Sequence, residues 1–360
     1  MITVMTVLGA RPQFIKAATV SHVITRTNGL QEILVHTGQH FDTNMSAVFF
    51  QELGICSPKY HLGISGGSHG VMTGQMLESL EGVMQKERPD WVLVYGDTNS
   101  TLAGALAAVK LQIPIAHVEA GLRSFNRDMP EEINRILTDH AAGLLLTPTD
   151  KATQNLLDEG IDSRRIEQVG DVMFDAIIFY GAKSEKYSHI LSDYGLERGK
   201  YILSTIHRQE NTDNLDRLQT IFKALNDMSK EFSVVIPLHP RTRKCLEKAE
   251  LLNLIDGLTV LPPVGYLDMI MLERGAAVIA TDSGGVQKEA YFNGVPCVTL
   301  RNETEWVELV TLGWNRLAPP GSADIVNEIV NAIASKGQDS KPYGDGKAAR
   351  KIVNKLRTGI

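Results

Sequence analysis

A chain of 360 residues with 43% apolar and 22% charged side chains has enough material for two packed domains and the make-up of a soluble globular protein. A net charge of −6 argues against general nucleic-acid binding, so an anionic ligand has to be held by local Arg, Lys and backbone N–H groups. Three widely spaced cysteines, Cys56, Cys245 and Cys297, suit a reducing compartment and suggest neither a disulfide frame nor a zinc cage. A strand pattern begins at Ile2 and no apolar run approaches bilayer length, so the expectation is a cytoplasmic protein without signal peptide or membrane contact.

Apolar runs alternate with helical periodicity along nearly the whole chain, the mark of parallel α/β sheets. In the first half, strands are predicted at 2–8, 32–37, 91–95, 114–118 and 143–147, with helices at 12–27, 69–87, 98–111 and 130–142. In the second half, strands are predicted at 201–206, 233–238, 258–262, 276–280 and 296–300, with helices at about 214–229, 241–252 and 283–293. A seam is expected near 175–200, where residues 180–200 are charged and rich in Gly, Ser and Tyr. The expected architecture is two doubly wound Rossmann-like domains, 1–172 and 173–345, the first rejoined by a C-terminal helix at 346–360. Ligands of such sheets bind at the carboxyl ends of the strands, and two such domains imply a cleft between them.

The first strand-to-helix junction, Gly9-Ala10-Arg11-Pro12, puts Arg11 just before a helix N-terminus and Lys16 about a turn later. Two cations there suit phosphates, or form a solvated basic surface. No G-x-G-x-x-G occurs at this turn, which speaks against a tightly bound dinucleotide. His36 and His40 suggest a metal pair only by proximity; without H-E-x-x-H or a cysteine partner, no metal is expected.

Asp97 and Glu119 follow apolar strands directly, and Glu131 and Glu132 open a helix. Carboxylates gathered at one edge can divide acid and base roles between them. Taken singly, Asp97 reads equally as a helix cap and the glutamates as compensation of a helix dipole. Further on, a strand delivers His207, with Arg208 and Glu210 beside it; histidine can shuttle protons and arginine can hold a diphosphate. His239 closes the next strand and reads equally as a structural histidine. The most informative stretch is 280–290. There an apolar strand runs into Thr281-Asp282-Ser283-Gly284-Gly285 and then a helix carrying Glu289. Bare N–H groups, a hydroxyl and a helix N-terminus make an anion site, and Glu289, read as free, can take a ribose diol.

Four motifs, in order, resemble the non-hydrolysing UDP-N-acetylglucosamine 2-epimerase family over residues 2–320. They are Gly96-Asp97-Thr98, His117-Val118-Glu119-Ala120-Gly121-Leu122-Arg123, Pro130-Glu131-Glu132-x-Asn134-Arg135 and Thr281-Asp282-Ser283-Gly284-Gly285-x-Gln287-x-Glu289. The resemblance implies the two-domain GT-B fold, a homodimer, and an isomerase that binds a UDP-sugar and UDP without a cofactor. It implies removal of the C2 proton as UDP leaves C1, a bound 2-acetamidoglucal, and return of UDP after protonation on the opposite face. By motif, Asp97, Glu119, Glu131 and His207 are the implied catalytic residues. Arg11, Lys16, Arg135, Arg208, Ser283, Gly284, Gly285 and Glu289 are the implied substrate-binding residues.

The chain departs from the commoner family pattern in several places. Gln39-His40-Phe41-Asp42 and 63–69 lack the Gln-His-Arg segment and the arginine used by a second, allosteric sugar nucleotide. Thr304-Glu305-Trp306-Val307-Glu308 replaces Thr-Glu-Arg-Pro-Glu, and Gly9-Ala10-Arg11-Pro12-Gln13 replaces Gly-Thr-Arg-Pro-Glu. With Arg123-Ser124-Phe125-Asn126, these variants are similar to members acting on UDP-2,3-diacetamido-2,3-dideoxyglucuronate. Two substrates stay open, that uronate and UDP-N-acetylglucosamine, and so does the pathway served, whether capsule, lipopolysaccharide or cell wall. A GT-B glycosyltransferase using a UDP-sugar donor is the alternative.

Overall fold

A computed structural model describes residues 1–39 and 52–359. The chain divides into two compact units, Met1–Phe179 with Lys341–Ile360, and Tyr180–Ser340. The division falls within one helix, Val172–Tyr187, so the expected seam is regular structure and not a loop.

The first unit is built on a seven-stranded sheet of order β3-β2-β1-β4-β5-β6-β7. Its strands are β1 (Ile2–Leu8), β2 (Leu30–His36), β3 (Tyr60–His61), β4 (Trp91–Tyr95), β5 (Ile115–Val118), β6 (Leu144–Thr147) and β7 (Ile166–Gln168). The second unit carries a six-stranded sheet of order β10-β9-β8-β11-β12-β13. Those strands are β8 (Tyr201–Thr205), β9 (Ser233–Pro237), β10 (Thr259–Leu261), β11 (Val278–Thr281), β12 (Cys297–Thr299) and β13 (Asn315–Leu317). All pairings are parallel. Counted from β8, the second sheet repeats the order of the first without its last strand. In each, the order reverses beside the first strand: β1 next to β4, and β8 next to β11. That reversal opens a crevice at the carboxyl ends of the two strands.

The central strands are largely apolar on both sides because both faces are covered. In the second unit, Ile202, Val234, Ile236, Val278 and Ala280 enter one core, and Leu203, Val235 and Ile279 enter the other. In the first, Met5, Val7, Val92, Val94 and Leu145 pack against Met76, Leu80, Met84, Ala103 and Ala107 from helices His69–Glu87 and Asn99–Lys110. The alanine-rich face lets that second helix lie close to the sheet. The C-terminal helix Ala348–Thr358 joins the first unit. Its opening N–H groups, on Ala348 and Ala349, donate to the two carboxylate oxygens of Asp175. No helix among the described residues is long and apolar enough to cross a membrane.

Candidate functional site

In the first unit the crevice lies where β1 and β4 end. After β1 the chain turns through Gly9 and Ala10 into helix Arg11–Thr25, which Arg11 opens. Gln13, fully buried, fixes this turn: its oxygen accepts from the N–H groups of Gly9 and Ala10, and its amide donates to Tyr95 O and Thr101 Oγ1. One side chain thus ties the turn after β1 to the end of β4. Lys16, one turn further along, forms an ion pair with Glu119.

Asp97 follows β4 and is not the helix cap; Thr98 caps helix Asn99–Lys110. The Asp97 carboxylate, about a third exposed, accepts from Arg135 Nη2 at 2.7 Å, and Asn134 donates to its backbone carbonyl at 2.9 Å. Glu119 follows β5 with φ +70, a left-handed conformation that costs a residue bearing a Cβ about 1–2 kcal/mol. Such strain persists only where surrounding bonds hold it, and it gathers at functional sites.

Helix Pro130–Ala141 faces this crevice with polar groups. Its buried residues are Glu132, Asn134, Arg135, Thr138 and Asp139, at helical spacing on a side that would ordinarily be apolar. Glu132 accepts from the N–H groups of Ser124 and Phe125, from Ser124 Oγ and from Arg135, so it shapes the preceding loop. Glu131 beside it is exposed. Asp139 is fully buried and receives His117 Nδ1, Arg123 Nη1 and the N–H of Gly121. Burial pushes its carboxyl up, but His117 and Arg123 outweigh that and hold it below its ordinary range.

In the second unit the crevice lies where β8 and β11 end. Asp282, fully buried, accepts from the N–H groups of His207 and Arg208 at 3.0–3.1 Å and from the Asn211 amide. His207 Nδ1 lies 3.4 Å from the same carboxylate, with its side chain 43% exposed. Ser283 stands at the N-cap of helix Gly284–Phe292, yet its side chain makes no capping bond. Its hydroxyl is therefore not consumed by the helix it precedes, while its N–H donates to Thr281 Oγ1 at 2.9 Å. Glu305 lies against Gly284, 4.0 Å from Arg208 and paired with the buried Arg301.

One reading needs correction. Glu289 does not stand free: it is 6% exposed, and with burial it helps raise the Tyr266 phenol far above its usual range. His36 bonds His61 at 2.8 Å across β2 and β3, while its proposed companion His40 lies outside the described residues, as do Phe41 and Asp42. No metal-holding cluster of His, Cys, Asp or Glu occurs among the described residues. His239 Nδ1 accepts from the N–H of Arg241 and caps helix Pro240–Lys248, and its ring centroid lies 6.0 Å from that of His207. Sequence reading missed Gln13, Asp139 and the clamp role of Asp282. Gln13 had a usable signal, a glutamine three residues into a helix after a glycine turn; Asp139 had only its place on the inward side of a polar helix.

Two Rossmann-like units, each with a polar cluster at its strand-order reversal, define a protein of the GT-B class. The family described as UDP-N-acetylglucosamine 2-epimerase matches residues 22–357. A homologue of UDP-N-acetylglucosamine 2-epimerase from Methanococcus maripaludis is 52% identical over 98% of this chain and 99% of its own. The UDP-2,3-diacetamido-2,3-dideoxy-D-glucuronate 2-epimerase of Pseudomonas aeruginosa is likewise 52% identical, over 98% and 99%. The crystal structure of the Methanocaldococcus jannaschii UDP-GlcNAc 2-epimerase, in complex with UDP-GlcNAc and UDP, superimposes with TM-score 0.93 at 41% identity, covering 99% of this chain and 100% of that one. The chain belongs to the UDP-N-acetylglucosamine 2-epimerase family and is an isomerase.

Proposed function

We propose that this enzyme inverts C2 of UDP-2,3-diacetamido-2,3-dideoxyglucuronate. UDP leaves C1 by anti elimination as the C2 proton is removed, a bound 2-acetamidoglucal forms, and UDP adds back after protonation on the other face. Carboxylates of the first unit, Asp97, Glu119 and Glu131, serve the C2 proton transfers, and His207 assists at the diphosphate. Lys16, Arg11, Arg135 and Arg208, with the Ser283 hydroxyl and the N–H groups at Gly284 and Gly285, hold sugar and diphosphate, and Glu289, though buried beside Tyr266, serves the ribose. Stabilising the departing diphosphate is the electrostatic core of this scheme, because abstraction beside an acetamido carbon is otherwise slow. A homodimer, a cytoplasmic setting and a role in surface polysaccharide synthesis are also included in the proposal, carried by family resemblance alone.

The observation that carries this reading is the placement of two carboxylates, each paired with a cation, at the strand-order reversal of the first sheet. The choice of uronate rests on 52% identity to the Pseudomonas relative along almost the full chain. A second reading, UDP-N-acetylglucosamine, is favoured by the likeness to the Methanocaldococcus structure. Incubating the full chain with each sugar nucleotide in deuterated water tests both. The expected result is deuterium at C2 of the uronate, faster than of UDP-N-acetylglucosamine, with no acceptor present. The reverse order of rates supports the second reading; exchange with neither leaves a glycosyltransferase ahead.

A further inference from the structure

Resting on the reading of Asp97 and Glu119 as proton-transfer groups, we propose that His117 and Asp139 are positioning residues of this enzyme. They form a buried pair that fixes the two turns carrying those carboxylates at one spacing.

His117 lies inside β5 and is fully buried. Its Nδ1 is 2.7 Å from Asp139 Oδ1, and its Nε2 is 2.7 Å from the carbonyl oxygen of Gly96. A carboxylate and a carbonyl both accept, so both ring nitrogens donate. The second Asp139 oxygen accepts from the N–H of Gly121 at 3.1 Å and from Arg123 Nη1 at 2.7 Å. Arg123 also donates to Leu122 O and, through Nε and Nη2, to both oxygens of Glu159.

One carboxylate therefore reaches the backbone at two places. Through His117 it grips Gly96, the neighbour of Asp97. Directly, and through Arg123, it grips Gly121 and Leu122, just beyond Glu119. Both turns use left-handed backbone: φ +63 at Gly96, where glycine makes it free of steric cost, and +70 at Glu119, where the Cβ makes it a strain that needs an external hold. The hold comes from the helix that also supplies Asn134 to the Asp97 carbonyl and Arg135 to its carboxylate, so one element sets both partners of Asp97 named above. Apolar residues would fill the same volume with less desolvation, so stability alone does not explain four charged or polar side chains here. A network with every member bonded specifies one geometry instead.

Gln and Asn at position 117 separate the two bonds of the ring. Glutamine places an amide where Nε2 lies and keeps the donor to Gly96; asparagine keeps the partner of Asp139 and cannot reach Gly96. We expect His117→Asn to lower kcat about 100-fold, the loss that goes with a misplacement of about 1 Å, with KM changed less than about threefold. His117→Gln is expected to recover kcat to within about tenfold of wild type. Both variants should melt within a few degrees of each other. Equal losses in the two, or wild-type kcat in both, overturn the proposal. Asp139→Asn keeps the shape and drops the charge; a kcat and pH–rate profile identical to wild type would overturn it even if the His117 variants fail to fold. A wild type that exchanges no deuterium at C2 with either sugar sinks the functional reading first, which the variants alone cannot do.

Discussion

At the strand-order reversal of the first sheet, carboxylates stand in ion pairs with side-chain cations: Asp97 with Arg135, Glu119 with Lys16. At the reversal of the second, the carboxylate of Asp282 is fully buried and taken up by backbone N–H groups and one amide. What the second site leaves open is backbone: the start of helix Gly284–Phe292, with Gly285 exposed and Ser283 not capping. The first site thus keeps its chemistry in side-chain tips, where protonation can change. The second keeps it in fixed dipoles, which suit a phosphate that must be held but not altered. The same fold order supports both, so the division of labour lives in a few residues after equivalent strands.

The sharpest way to break this comparison is to remove one acid from each site. Asp97→Asn retains shape and loses the proton-transfer group; kcat should fall by roughly 10²–10⁴ with a small change in melting temperature. Asp282→Ala leaves the N–H groups of His207 and Arg208 and the Asn211 amide without their acceptor. At about 1–3 kcal/mol for each unmet buried donor, folding should weaken by roughly 3 kcal/mol in urea titration. Steady-state kinetics and denaturation on both proteins read the contrast. A large stability loss in Asp97→Asn with intact Asp282→Ala would invert it.

A pair of glycines sharpens the same point. At Gly121, φ is +81 and a Cβ would lie 2.2 Å from the carbonyl oxygen of Ala152, a backbone atom that cannot swing aside. Gly121→Ala should cost about 2–3 kcal/mol of folding stability. At Gly285 a Cβ would meet nothing nearer than Ser283 Oγ at 3.9 Å. Gly285→Ala should leave folding unchanged or up to about 1 kcal/mol better, because alanine favours the helix. It should nonetheless weaken UDP binding by calorimetry, since the methyl occupies the approach to the N–H groups. Unchanged UDP affinity would remove Gly285 from the proposed cradle.

Acid titration separates the two kinds of buried carboxyl within the first unit. Burial raises Asp175 from 3.8 to about 6; the N–H groups of Ala348 and Ala349 oppose the rise, and Asp171 and Asp345 add to it. The folded state therefore holds this proton more tightly than the unfolded chain. Its contribution is fully present below pH 3.8 and is lost as pH rises through about 6, amounting to about 2–3 kcal/mol. Asp139 has the opposite sign: its pKa is depressed, so its contribution is present above 3.8 and is lost only in stronger acid. Asp175→Asn should flatten the stability profile between pH 4 and 6 and leave the acid limb in place. A flattening of the acid limb instead would mean that the titration there belongs to Asp175.

The central strands were legible because burial on both faces makes them short, mostly apolar runs; β1 and β4 begin and end where the pattern does. Strands β3, β7 and β13 were not, being two or three residues long at or near sheet edges. The helix through the seam was hidden by its charged second half, Lys183, Glu185 and Lys186, which looks like linker composition. At the site, Asp97, Glu119 and His207 could be picked out because they follow strands directly. The network of His117, Arg123, Asp139 and Glu159 spans some forty residues of chain, and only the packing of a helix and two turns brings it together. The burial of Glu289 was illegible for the same reason: Tyr266 comes from a separate helix.

Phe125 offers the smallest and most discriminating test. It sits in the left-handed region at φ +60 and is 72% exposed, two costs with no stabilising return visible in the fold. Its N–H and that of Ser124 are pinned by Glu132, which also holds Arg135 and through it Asp97. The strained aromatic is thus wired to the proposed catalytic carboxylate by consecutive hydrogen bonds. Phe125→Gly should relieve the backbone and raise stability by about 1 kcal/mol, less whatever glycine adds to the freedom of the unfolded chain. If the ring touches the bound sugar, the same variant raises KM or lowers the preference between the two sugar nucleotides. If stability rises while KM and preference stand still, the loop's shape is a by-product of anchoring Arg135, and specificity has to be sought elsewhere in the first unit.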